Sequence, residues 1–154
     1  MGDNKMEIDN KEATEVFNKL LKGENIEEVI ETERGAFTIK YPLSNDWLRI
    51  IATRQRYLNG LDENSLSNEE KYKYHALSAL DVCITKSPDW WTNAFAVSEV
   101  VPELVLELHR GFLLHSDKIR ALCKEALVGK TNRERKLPNP TKTVGDNFLQ
   151  NITK

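Results

Sequence analysis

The sequence predicts a mainly α protein, a small helical bundle with one short N-terminal β-strand and a disordered C-terminal tail. Three observations lead there. Apolar residues recur at three- and four-residue intervals along most of the chain, the stretch 36–41 alternates apolar with polar residues instead, and nothing after residue 129 carries an amphipathic face. A chain of 154 residues with 40% apolar side chains can bury one core, and its 30% charged residues suit exposed helix faces. The expected division is a flexible N-terminus over 1–8, a helical domain over 9–129 and a flexible basic tail over 130–154.

Asp9 or Asn10 can cap a first helix, in which Ala13, Val16, Phe17, Leu20 and Leu21 form one apolar stripe ended by Gly23. A short helical turn over Ile26 to Glu31 is expected next. Gly35 then opens Ala36-Phe37-Thr38-Ile39-Lys40-Tyr41, where Phe37, Ile39 and Tyr41 alternate with Thr38 and Lys40 as in a half-buried strand that Pro42 stops. A lone strand cannot satisfy its own backbone groups, so it pairs with another segment, with water or with a second copy; the last case makes a homo-oligomer. Its free edge is a candidate contact site.

Ser44 or Asn45 starts the next helix, with Trp47, Ile50, Ile51, Arg54, Tyr57 and Leu58 in register, Gly60 past its end, and Arg49 and Arg56 on the other face. Ser67-Asn68-Glu69-Glu70 has the form of a capping box, and the helix it opens is expected to run through Leu77, Leu80 and Ile84 to about Lys86. Ser87-Pro88-Asp89-Trp90-Trp91 interrupts the helical pattern. Another helical region begins near Ser98 or Pro102, its apolar positions Val101, Leu104, Val105, Leu108, Phe112, Ile119, Leu122 and Ala126 in phase across Gly111, as one bent helix or two abutting ones that stop at Gly129. In the tail, Phe148 and Leu149 form either a small docking motif or, the favoured reading, part of an unattached end.

The net charge of -2 hides an asymmetry: residues 1–34 hold ten acidic and five basic side chains, whereas 130–154 hold six basic and two acidic ones. Such ends are solvated or meet partners of opposite charge. No apolar run reaches the roughly 20 residues of a membrane-spanning helix, and the first residues lack the apolar core of a signal peptide, so no membrane association is expected. Cys83 and Cys123 lie in apolar helical patterns and are expected to be reduced core thiols.

Residues capable of chemistry do not cluster along the chain. His75, His109 and His115 lack the three- or four-residue spacing of helical metal ligands, and Gly129-Lys130-Thr131 follows a helix where a phosphate loop precedes one. No catalytic, cofactor-binding or metal-binding residue is assigned, and the chain is not expected to be an enzyme. Nucleic-acid binding through Arg49, Arg54, Arg56 and the basic tail is an alternative, which a pI near 6.0 weighs against. The Pro88-Trp90-Trp91 segment is the most distinctive feature, because adjacent loop tryptophans point apart in most backbones: either one ring plugs the core and the other lies on the surface as an anchor for a partner, or both cover the end of the bundle.

Taken together, Gly35-Ala36-Phe37-Thr38-Ile39-Lys40-Tyr41-Pro42, the basic helix ending Tyr57-Leu58-Asn59-Gly60-Leu61, and Ala79-Leu80-Asp81-Val82 leading to Ser87-Pro88-Asp89-Trp90-Trp91 resemble tail assembly chaperones and related small tail proteins of long-tailed bacteriophages. The resemblance spans roughly residues 33–112. It implies a helical, cofactor-free protein of the bacterial host cytoplasm that binds the tape-measure protein and aids recruitment of tail-tube subunits. A permanent part of the tail or neck is the neighbouring expectation. The interaction residues expected on these grounds are Phe37, Ile39, Tyr41, Arg49, Arg56, Pro88, Trp90 and Trp91.

Overall fold

The structure is a computed structural model that describes the backbone of residues 2–135 and the side chains of residues 10–129. It is mainly helical, with helices α1 (Gly2–Leu21), α2 (Ser44–Leu58), α3 (Asn68–Cys83), α4 (Ala94–Val100) and α5 (Pro102–Arg135). A small antiparallel sheet of β1 (Glu27–Thr32), β2 (Gly35–Lys40) and β3 (Ile84–Lys86), in that order, replaces the single strand expected from sequence. The expected tail beyond Arg135, with Phe148 and Leu149, lies outside the described residues.

The stretch expected as a helical turn is β1. Its β-branched residues Val29, Ile30 and Thr32 favour extended backbone, and a two-residue turn at Glu33-Arg34 folds it onto β2 with Thr32 opposite Gly35. β2 is therefore the central strand, and its edge is not free: β1 pairs along one side and β3 along the other. Helix α3 ends at Cys83, where Ile84 to Lys86 leave the helical path to pair with Thr38 and Ile39. Pairing within the chain thus satisfies the backbone that sequence alone left open.

Two apolar clusters result. The first packs β2, α2, α3, α4 and the N-terminal half of α5 around Phe37, Ile39, Ile50, Leu77, Leu80, Leu108 and Phe112. The second lies between α1 and the C-terminal half of α5, with Ala13 against Ile119, Leu122 and Ala126. Val16, Phe17 and Leu20 join it, but Leu21 points to solvent, as does Ile51 on α2. α1 begins at Gly2 rather than at Asp9 or Asn10, and α5 continues past Gly129 without interruption for 34 residues, or about 51 Å at 1.5 Å per residue.

Local chemistry sets the helix ends. The capping box at Ser67 forms, with the Glu70 N–H donating to Ser67 Oγ at 3.2 Å and the Ser67 N–H donating to Glu70 Oε1 at 3.2 Å. At α2 only the reverse half exists: Leu43 has no polar side chain, and its N–H donates to Asp46 Oδ2 at 2.9 Å. Asp46 also receives Lys40 Nζ at 2.8 Å, which ties β2 to the start of α2. Asn59 in the left-handed region ends this helix, one residue before the glycine expected to do so.

Ile30 of β1 presses onto α5 at Gly111, where a Cβ would overlap Ile30 Cδ1. Gly111→Ala should therefore destabilise the fold. Overpacking costs about 1–3 kcal/mol, against a helix-propensity gain of about 1 kcal/mol for removing a glycine. In an Ile30→Val background, which lacks that Cδ1, the same change should be neutral or stabilising. Urea unfolding of the four proteins of the cycle measures this, and additive losses would disprove the contact.

Candidate functional site

The loop between β3 and α4 brings most of the distinctive residues to one end of the sheet. Pro88 lies over the β1–β2 turn: a Cβ on Gly35 would come 2.5 Å from Pro88 Cγ, and Gly35 has a φ of 128° that disfavours any side chain. The Trp91 N–H donates to the Pro88 carbonyl at 3.0 Å, closing a tight turn that leaves the two indoles edge-on to each other with ring centroids 6.2 Å apart. Trp91 packs edge-on against Phe37 at 5.1 Å and is partly buried. Trp90 also meets Phe37 edge-on, at 6.2 Å, but keeps 46% of its surface exposed. Its Nε1–H donates to the Arg34 carbonyl at 3.3 Å, which orients the ring on the turn.

Two grooves flank this pair. One, of about 610 Å³, is lined by Trp90, Arg34 and Thr92 with Ala96, Val97, Val100 and Val101 at the end of α4. Val100 is 79% exposed there. The other, of about 550 Å³, holds Arg56, Tyr57, Asp81, Trp91 and Asn93. Both volumes fall in the range of sites that bury a small molecule or a few peptide side chains. Apolar and polar recognition thus stand side by side, with Thr92 lining both.

α4 is held in place by side chains from outside it. Asn93 Oδ1 caps it by accepting the Ala96 N–H at 2.7 Å, and Asp81 Oδ1 on α3 accepts the Ala94 N–H at 2.6 Å. Burial raises the Asp81 carboxyl above its ordinary value, opposed by the Ala94 N–H and the Arg56 charge. Tyr57 and Tyr74 stack on Phe95 of the same helix at 5.1 and 6.4 Å.

The residues expected to form a contact surface separate into distinct roles. Pro88, Trp90, Trp91 and Arg56 meet at this end, with Phe37 fully buried beneath them. Ile39 is also fully buried, and Tyr41 packs into the second cluster, so the strand supplies a floor rather than an accessible edge. Arg49 projects into solvent 3.9 Å from Asp46, away from the grooves. Arg54, expected in register with the apolar stripe of α2, faces Glu63 at 3.2 Å. Sequence reading missed Arg34, Asp81, Val97, Val100 and Val101; of these, the Val97–Val101 run was an available apolar signal.

The histidines serve packing. His75 stacks on Trp47 at 6.3 Å, His109 lies 3.3 Å from the Tyr72 hydroxyl, and buried His115 reaches the Ile26 carbonyl at 3.1 Å with Glu28 Oε2 at 2.9 Å from its other ring nitrogen. Burial pushes the Cys83 thiol up to about 12, which makes it an inert packing group at neutral pH. Among the described residues, no three His, Cys, Asp or Glu side chains are placed to hold a metal ion, and no helix is long and apolar enough to cross a membrane.

The raised Asp81 pKa has a defined sign. The folded state holds this proton more tightly than the unfolded chain, so the contribution to stability is complete below the unfolded value of about 3.9 and is lost as pH rises through the folded value. Asp81→Asn keeps an oxygen for the Ala94 N–H but cannot ionise. Its stability relative to the wild type should therefore improve as pH rises from acid to neutral, measured by urea unfolding across that range. A difference independent of pH would disprove the assignment.

No protein family, curated protein or solved structure matches this chain, so the geometry at the tryptophan turn and the resemblance in its motifs are the grounds for a functional reading.

Proposed function

We propose that this chain is a protein-binding adaptor of long-tailed phage assembly, a tail assembly chaperone that binds the tape-measure protein and helps recruit tail-tube subunits, with no reaction of its own. The observation that carries the binding role is Trp90, an indole held half-exposed by a backbone hydrogen bond beside a groove ending at exposed Val100. An anchored ring beside an apolar recess is how interfaces concentrate affinity, because little side-chain entropy remains to be lost when the partner arrives. A partner's apolar side chain seats between Trp90 and Val100, while Arg56 and Asp81 in the adjoining groove set its orientation through polar contacts. The phage setting rests on the resemblance of the 33–112 motifs.

Co-expression with the tape-measure protein of the same phage or prophage should yield a complex. Trp90→Ala should weaken it by about tenfold or more, in the range of interface anchors, while lowering fold stability by only about 1 kcal/mol. Trp91→Ala, which removes a ring packed on Phe37, should instead cost about 3 kcal/mol in urea unfolding. Equal affinity of wild type and Trp90→Ala would remove the groove from the interface. Mass spectrometry of purified particles separates a chaperone, absent from them, from a permanent tail component.

A further inference from the structure

Strand β1 is an outer strand of the sheet, and among the described residues no strand pairs with its far side. The Tyr41 N–H donates to the Ile26 carbonyl at 2.9 Å, which sets the phase of the β1–β2 ladder. Glu28, Ile30 and Thr32 then turn their backbone groups toward β2, and Glu27, Val29 and Glu31 turn theirs outward. Among the described residues, no hydrogen bond reaches these outward groups, and all three side chains are exposed on the sheet face turned away from α5.

The chemistry of this edge is one-sided. Glu27 and Glu31 flank Val29, which is 54% exposed, and Lys40, the cross-strand neighbour of Glu27, is already committed to Asp46. At the end of β1 a cleft of about 350 Å³ continues the same sign, lined by Glu33, Glu103 and Glu107 with Arg34, Thr32 and Leu104. A second copy of β1 is a poor occupant. The order Glu27-Val29-Glu31 is symmetric about Val29, so antiparallel self-pairing there sets glutamate opposite glutamate, a destabilising arrangement.

We propose that the outer edge of β1 is a docking site for an extended basic segment of another protein, which adds as a fourth strand. On the face it shares with these side chains, its residues at every second position run basic, β-branched, basic, so that basic side chains meet Glu27 and Glu31 across the new ladder and a β-branched one meets Val29. Backbone pairing supplies affinity without sequence preference, and the carboxylates select for charge. A further basic residue beyond the strand enters the cleft of Glu33, Glu103 and Glu107. This surface is separate from the Trp90 groove, and one partner can use both or two partners one each.

The test uses the full chain and a synthetic peptide of the pattern lysine-threonine-valine-threonine-lysine, which sets lysine, valine and lysine on one strand face. The peptide should slow amide hydrogen exchange at Val29 and Glu31. An otherwise identical peptide with glutamate in place of lysine should bind at least about tenfold more weakly, as should the lysine peptide toward Glu27→Lys/Glu31→Lys, whose exposed substitutions leave the fold intact by circular dichroism. Trp90→Ala should bind the lysine peptide like wild type, which keeps this outcome independent of the Trp90 groove. Unchanged exchange on adding peptide, or equal affinity for both peptides, overturns the proposal. So does strong protection of those amides in the chain alone, because a second copy or residues 136–154 would then already occupy the edge.

Discussion

The contact between Ile30 and Gly111 decides where everything at the tryptophan end can be. A glycine in mid-helix costs about 1 kcal/mol relative to alanine, and here its missing Cβ lets β1 lie directly on α5. That placement fixes the Glu33-Arg34 turn, and the turn fixes Gly35 beneath Pro88 and the Arg34 carbonyl beneath the Trp90 indole. Phe37, two residues further along β2, supports both rings from below. The exposed indole is thus the last member of a packed series that begins with Ile30, the cross-strand neighbour of Phe37.

Features encoded over a few residues were legible in the sequence. The alternation of Phe37 and Ile39 and the Ser67–Glu70 cap follow from neighbouring side chains, and the structure has them as expected. What escaped were elements defined by distant partners. Ile84 to Lys86 continue the helical phase of α3 and become a strand only because Thr38 and Ile39, more than forty residues earlier, offer open backbone groups. Three glutamates disguised β1, since they suit a first helical turn as well as an exposed strand face. The site was half legible for the same reason: its aromatic residues stand out in sequence, whereas Asp81 acquires its role by reaching an amide thirteen residues away.

Two partly buried aspartates pull the stability of the fold in opposite directions with pH. Burial alone would raise Asp46, but the bond from Lys40, the Leu43 N–H and the charges of Lys40 and Arg49 outweigh it and hold the carboxyl below its ordinary value. Asp46 therefore stabilises the fold above the unfolded value, and that contribution is lost in acid as the pH falls through the folded value. Asp81, with one amide and a more distant guanidinium, does not recover its desolvation. Burial likewise depresses His75 and His109, so their neutral forms suit the fold and their protonation opposes it as pH falls.

Helix α5 belongs to both apolar clusters and passes between them without a break. It therefore joins the two as one continuous rod, carrying Leu104, Val105 and Leu108 into the first and Ile119, Leu122 and Ala126 into the second.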